Sequence, residues 1–149
     1  MKYNPKNSKS IELSKAEIQS FTRIDLISNI ERLKHQEKIT DLTYLRTYTI
    51  DDNDTFEIDD AISLEVLDSG FIIWIHISDP TSFIPLNSEI DLYARNKAIS
   101  IYLAKSVTSM IPRKIVEECF SLKSGKLSST LSLEIIIDSN GVILSSKIK

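Results

Sequence analysis

The chain has 149 residues, of which 42% are hydrophobic and 26% charged, with a formal net charge of -3. That balance suits one soluble globular domain and argues against a disordered chain. It also argues against tight nonspecific binding of nucleic acid by a broadly basic surface. The single cysteine, Cys119, excludes an internal disulfide and a Cys-rich zinc site, and three glycines are too few for a Gly-rich phosphate loop. The longest apolar run, Phe71 to Ile77, is strand-sized, far short of a membrane span. With no signature of an oxidising compartment, a cytoplasmic protein is expected, and the first residues, Met1-Lys2-Tyr3-Asn4-Pro5-Lys6, lack the apolar centre of a secretory signal.

Residues 1–10 are polar and expected to be disordered. Ser14-Lys15-Ala16-Glu17 reads as a capping box, in which Ser14 caps a helix and Glu17 reaches back to it. Apolar residues then fall at Ile18, Phe21, Ile24, Ile27, Ile30 and Leu33, the spacing of an amphipathic helix with a candidate break near Thr22. Such a helix can pack on its own domain or serve as an interface, the first being the commoner outcome. His35 lies in its charged end and reads as solvated.

Leu45 to Ile50 alternates and is rich in β-branched and aromatic residues, which predicts a strand. A second strand is predicted over Ala61–Leu67, with Ile62, Leu64 and Val66 on one face. Asp68-Ser69-Gly70 turns it into an antiparallel partner, Phe71 to Ile77. That run is apolar on both faces, as a central covered strand would be. Trp74 therefore reads as core, and His76 as a hydrogen-bonded core or rim histidine. Asn87 or Ser88 is placed to cap a helix running to about Ala98. A short strand over Ile99–Leu103 and a short helix over Arg113–Cys119 follow. Leu131 to Ile137 alternates cleanly, and Ser139-Asn140-Gly141 turns it into Val142 to Ile148, Asn-Gly being a strong hairpin signal. The predicted class is α+β, a mostly antiparallel sheet with flanking helices. Ending on an apolar hairpin suggests that the sequence stops before the domain does.

Between the first two strands lies the stretch with chemistry. Six of the ten residues from Asp51 to Asp60 are carboxylates, and no Lys or Arg lies among them. Carboxylates so close raise one another's pKa unless a cation or solvent relieves the repulsion. A solvated acidic loop and a metal site are the two readings. Ile50, Phe56, Ile58 and Ile62 thread the run with apolar side chains, which favours a loop pinned to a core. Hard cations such as Mg²⁺ prefer carboxylate oxygens. Asp51, Glu57, Asp59 and Asp60 can supply them from one loop and one strand start, given a kink at 59–60 to converge neighbours that an extended chain would point apart. A calcium EF-hand loop beginning at Asp51 or Asp52 needs Gly sixth, where Phe56 or Glu57 stands. An Asp-x-Asp-x-Thr phosphotransferase motif beginning at Asp52 needs Thr at 56 and finds Phe56. Cys119 has no evident histidine partner for nucleophilic catalysis.

Thr49-Ile50-Asp51, Thr55 and Glu57-Ile58-Asp59-Asp60-Ala61-Ile62-Ser63 resemble the signature loop of the ribonuclease II (RNB) family of 3′-to-5′ exoribonucleases. Further pieces follow in family order. They are Ile75-His76-Ile77-Ser78-Asp79-Pro80, Ser88-Glu89-Ile90-Asp91 with Ala94, Ile99-Ser100-Ile101-Tyr102-Leu103, Met110-Ile111-Pro112, and Cys119 with Ser121-Leu122. The resemblance covers residues 41–149 and implies the N-terminal portion of an RNB catalytic domain, residues 1–40 being a helical linker. It implies Mg²⁺-dependent hydrolysis of single-stranded RNA from the 3′ end, releasing nucleoside 5′-monophosphates. Asp51, Glu57, Asp59 and Asp60 map onto the metal- and phosphate-holding acids, with Asp59 and Asp60 the catalytic pair. Tyr102 maps onto the aromatic that stacks on the terminal base. Glu57 departs from the Asp of many members but keeps the carboxylate. The family's later catalytic Arg and Glu, its RNA channel and its flanking β-barrels have no counterpart here, so the chain alone is expected to be inactive. A full-length protein of this kind is expected to be a monomer without a small-molecule cofactor or a membrane partner. The alternative is a non-catalytic truncated protein that binds metal or a partner.

Overall fold

The computed structural model describes residues 39–103 and 106–149. The N-terminal helix expected from the capping box lies outside the described residues.

Five strands form one antiparallel sheet in the order β1-β2-β3-β6-β7. They are β1 (Thr47–Tyr48), β2 (Asp60–Leu67), β3 (Gly70–Ser78), β6 (Thr130–Asp138) and β7 (Ile143–Ile148). A separate two-stranded ribbon joins β4 (Ile101–Leu103) to β5 (Ser106–Thr108). The two hairpins form where turn residues interrupt alternation. Asp68-Ser69 closes β2 onto β3, leaving Leu67 opposite Gly70. Asp138 organises the β6–β7 turn, its carboxylate accepting from Asn140 N at 2.9 Å and Val142 N at 2.8 Å. Gly141 takes φ 83° there, a conformation that favours glycine.

The predicted strand over 45–50 shrinks to two paired residues, because β2 offers partners only to Thr47 (Ser63) and Tyr48 (Ile62). Beyond Tyr48 the chain leaves the sheet to make the acidic loop. The ribbon strand β5 was not predicted; three residues carry too little periodicity to read.

Between β3 and β6 the chain makes a 3₁₀ turn (Pro80–Ser82), helix α1 (Glu89–Lys97), the ribbon, and helix α2 (Arg113–Ile115). Ser88 caps α1, its Oγ accepting from Asp91 N at 3.3 Å, while Glu89 and Asp91 sit in the first turn and Arg95 and Lys97 in the last. α2 passes directly into a π-helical turn over Val116–Phe120. Ile90, Ile111, Ile115, Val116, Cys119 and Phe120 form the buried apolar cluster, so Cys119 is a core residue.

The two faces of the sheet differ. One buries Ala61, Ser63, Trp74, His76 and Ser132. The other carries Ile62, Leu64, Val66, Phe71, Ile75, Ile77 and Leu131, all exposed, Val66 by 75%. β3 is central, as its composition predicts, but it is covered on one face and open on the other.

Candidate metal centre

The acidic loop leaves the sheet after Tyr48 and returns at Asp60, the first residue of β2. A turn forms at its tip, where Thr55 N donates to Asp52 O at 3.0 Å. The second half of the loop is pinned. Ser121 Oγ donates to Phe56 O at 3.0 Å and accepts from Ile58 N at 3.1 Å. Leu122 N donates to Ile58 O at 2.9 Å, and Ser78 N donates to Asp59 O at 2.8 Å. The Arg113 guanidinium lies 4.2 Å from the centre of the Phe56 ring, a cation–π contact. Of the apolar residues threaded through the run, Phe56 and Ile58 are half-buried and anchor it, whereas Ile50 and Ile62 are exposed, and Asp51, Asp59 and Asp60 face solvent.

The four acids singled out in the sequence share one electrostatic field. Partial burial pushes the Asp59 carboxyl above its ordinary range, and the charges of Glu57, Asp60 and Asp51, in that order, push it the same way. Among the described residues, no three His, Cys, Asp or Glu side chains converge closely enough to hold one ion. The acids are therefore neighbours without being a preformed coordination shell, and an ion held by all of them would have to draw them together. Their oxygen-only donor set fits a hard divalent cation such as Mg²⁺ and not a soft one.

Tyr102, in the exposed ribbon, reaches across 45 residues of sequence. Its hydroxyl donates to Glu57 Oε2 at 2.9 Å. Burial first, then the Glu57 hydrogen bond and charge, then the Asp59 charge, push its phenol above the usual range. The residue is 62% exposed while its hydroxyl is engaged.

Beneath the loop a chain of side chains crosses four strands. Thr47 Oγ1 and Ser63 Oγ share a hydrogen bond of 2.9 Å, Ser63 Oγ and His76 Nε2 one of 3.0 Å, and His76 Nδ1 and Ser132 Oγ one of 2.8 Å. Ser132 Oγ continues to Thr130 Oγ1 at 3.0 Å. Thr47 precedes the acidic loop and Ser63 follows it, so the Thr47–Ser63 bond ties the loop's two stems together. His76 is the satisfied core histidine that its strand position predicts.

Ser121, Ser78 and Arg113 contribute to the site without any sequence signal for that role. A serine after a short helix and an arginine at its start are ordinary, and their partners lie more than fifty residues away along the chain or in another element.

The RNB domain family model matches residues 39–149. An uncharacterised ribonuclease of Synechocystis is 43% identical over 104 residues, covering 69% of this chain and 16% of the relative. Exoribonuclease 2 of Aeromonas hydrophila is 36% identical over 105 residues, covering 70% of this chain and 16% of the relative. The structure of Mycoplasma genitalium RNase R in complex with ribose-methylated single-stranded RNA superposes with a TM-score of 0.66 at 27% identity, over 77% of this chain and 20% of that one. The antiparallel sheet with few helices is thus a portion of the RNB fold, and this chain belongs to the RNB domain family. It spans about a sixth of the length of the curated relatives it matches.

Proposed function

We propose that this chain supplies the acidic half of the active centre of a Mg²⁺-dependent exoribonuclease that hydrolyses RNA from its 3′ end and releases nucleoside 5′-monophosphates. The observation that carries the reading is the pinned backbone of residues 56–59, which sets a partly buried Asp59 in the shared field of Glu57, Asp60 and Asp51. Asp51, Glu57, Asp59 and Asp60 would hold the metal, with Asp59 and Asp60 nearest the reacting phosphate. When bound, such an ion supplies charge to a phosphate oxygen and lowers the pKa of an attacking water. The chain's own part is to fix the carboxylates. Ser121, Leu122 and Ser78 hold the backbone of residues 56–59, and the Tyr102 hydroxyl orients Glu57. The exposed Tyr102 ring is available to stack on a terminal base, a contact tolerant of any sequence. Single-stranded RNA is the proposed partner; the net charge of -3 argues against a grip by a broadly basic surface of this chain. The cytoplasm is the proposed compartment. The 149 residues alone are proposed to be inactive.

The test is a chimaera in which residues 39–149 replace the matching segment of Aeromonas hydrophila exoribonuclease 2. The chimaera should degrade a 5′-labelled single-stranded RNA stepwise with Mg²⁺, and an Asp59→Asn chimaera should not. A folded chimaera that leaves the RNA intact, beside an active parent, would sink the reading. The second reading is a non-catalytic member of the family. The lack of a converged acid cluster among the described residues favours it, and the same inert chimaera would support it.

A further inference from the structure

We infer that Ser121 is a positioning residue of this centre: its hydroxyl sets the orientation in which Glu57 meets a divalent cation. The inference rests on the metal reading proposed above. Ser121 is 1% exposed, and its Oγ is, among the described residues, the one side-chain atom that bridges the peptide groups on either side of Glu57. It donates to the Phe56 carbonyl and accepts from the Ile58 amide, so the single hydroxyl uses both of its functions on two backbone groups. A carboxylate between two fixed peptides has its Cα–Cβ direction fixed. Leu122 and Ser78 extend the grip to the Ile58 and Asp59 carbonyls, but through their own backbone amides, which an alanine substitution leaves in place.

The local fold explains how a serine reaches this place. The turn that ends at Phe120 is π-helical: Ser121 N donates to Val116 O at 2.8 Å, five residues back. The wider turn delivers Ser121 in an extended conformation (φ -62°, ψ 127°). The next residue then pairs with Ile58 as a strand residue would. Ser78 Oγ donates to Phe120 O at 2.8 Å, and Arg113 of α2 covers the Phe56 ring. The α2–π-turn block therefore holds the loop through Phe56 and Ser121 together. Turns of this π-helical kind concentrate at functional sites in proteins.

Mn²⁺ is the probe, as a paramagnetic stand-in for Mg²⁺. Its broadening of the amide resonances of residues 57–60 in the ¹⁵N-labelled full chain gives an apparent affinity. Ser121→Ala should weaken that affinity at least tenfold. Ser132→Ala is the matched control: it is the same change at another serine 1% exposed, and it likewise loses two side-chain hydrogen bonds. It should leave the Mn²⁺ affinity within twofold of the parent. Should Ser121→Ala not fold, Ser121→Cys, which leaves no cavity, is slightly larger and weakens both hydrogen bonds, is read by the same criterion. Equal affinity in parent and Ser121→Ala would overturn the inference while leaving the metal reading intact. Equal losses in Ser121→Ala and Ser132→Ala would assign the effect to stability and overturn it too. A parent that Mn²⁺ does not broaden, or an Asp59→Asn variant broadened as strongly as the parent, would overturn the metal reading and this inference with it.

Discussion

Replacing His76 with alanine tests whether the polar chain across β1, β2, β3 and β6 holds the sheet together. The imidazole is 4% exposed and bonds Ser63 at 3.0 Å on one side and Ser132 at 2.8 Å on the other. Each serine keeps a second partner, Thr47 or Thr130, so neither hydroxyl is orphaned by the change. The two lost hydrogen bonds are then worth about 1 kcal/mol each. The cavity left by the ring, and its stacking against Trp74 with centroids 6.3 Å apart, add roughly 1–2 kcal/mol. The expected total is about 3–4 kcal/mol, a large share of the stability of a single domain. Urea unfolding followed by the fluorescence of Trp74, the sole tryptophan, reads it directly. A loss below about 1 kcal/mol would refute the reasoning, since it would fall within the value of one hydrogen bond.

The same residue predicts a pH dependence. Burial holds the His76 imidazole below its ordinary 6.5. As pH falls below 6.5, the unfolded chain takes up the proton first, and the folded state is disfavoured. The stabilising contribution is complete above 6.5 and is lost between 6.5 and the lower folded value. Its slope cannot exceed about 1.4 kcal/mol per pH unit. In His76→Ala this slope should vanish; an unchanged slope would assign it to another group.

Three other substitutions follow from single features. Asp59→Asn should stabilise the metal-free chain at neutral pH by roughly 0.5 kcal/mol, a small figure because solvent screens this exposed group. A raised folded pKa makes Asp59 destabilising once pH rises through the window above 3.8, so the gain should disappear on acidification below 3.8, as denaturation at two pH values would reveal. Gly70→Ala should destabilise by about 1–3 kcal/mol, because a Cβ there would stand 2.0 Å from the backbone oxygen of Ile137, and neither backbone can yield cheaply; an unchanged urea midpoint would contradict this. Ala98→Gly should stabilise by about 0.5–1 kcal/mol, because Ala98 ends α1 at φ 62°, a conformation that costs any residue with a Cβ; a thermal melt that falls instead would count against it.

The acidic loop was legible because six carboxylates without a cation announce themselves wherever they fold. The alternation of Ile62, Leu64 and Val66 likewise marked a strand face. It could not mark which face is covered, because alternation records two sides without naming the neighbour. Here the small and polar side, Ala61 and Ser63, is buried, and the branched side is exposed. The helix expected over Arg113–Cys119 was placed correctly, but its π-helical end was not foreseen. Its hydrogen bond from Ser121 N to Val116 O spans one residue more than an α-helical one, which apolar spacing over so short a helix does not reveal. The Tyr102–Glu57 contact joins residues 45 apart, and no short pattern encodes it. Tyr102 entered the site through resemblance to the RNB family, since a ribbon tyrosine has no signature of its own.

The central claim is that the loop from Asp51 to Asp60 is a divalent-cation centre and not merely a solvated acidic turn. Isothermal titration of Mg²⁺ into the chain, beside the Asp59→Asn variant at the same pH and salt, tests it most directly. The account predicts saturable binding by the parent that the variant lacks. Binding of equal strength to both, or to neither, would contradict it.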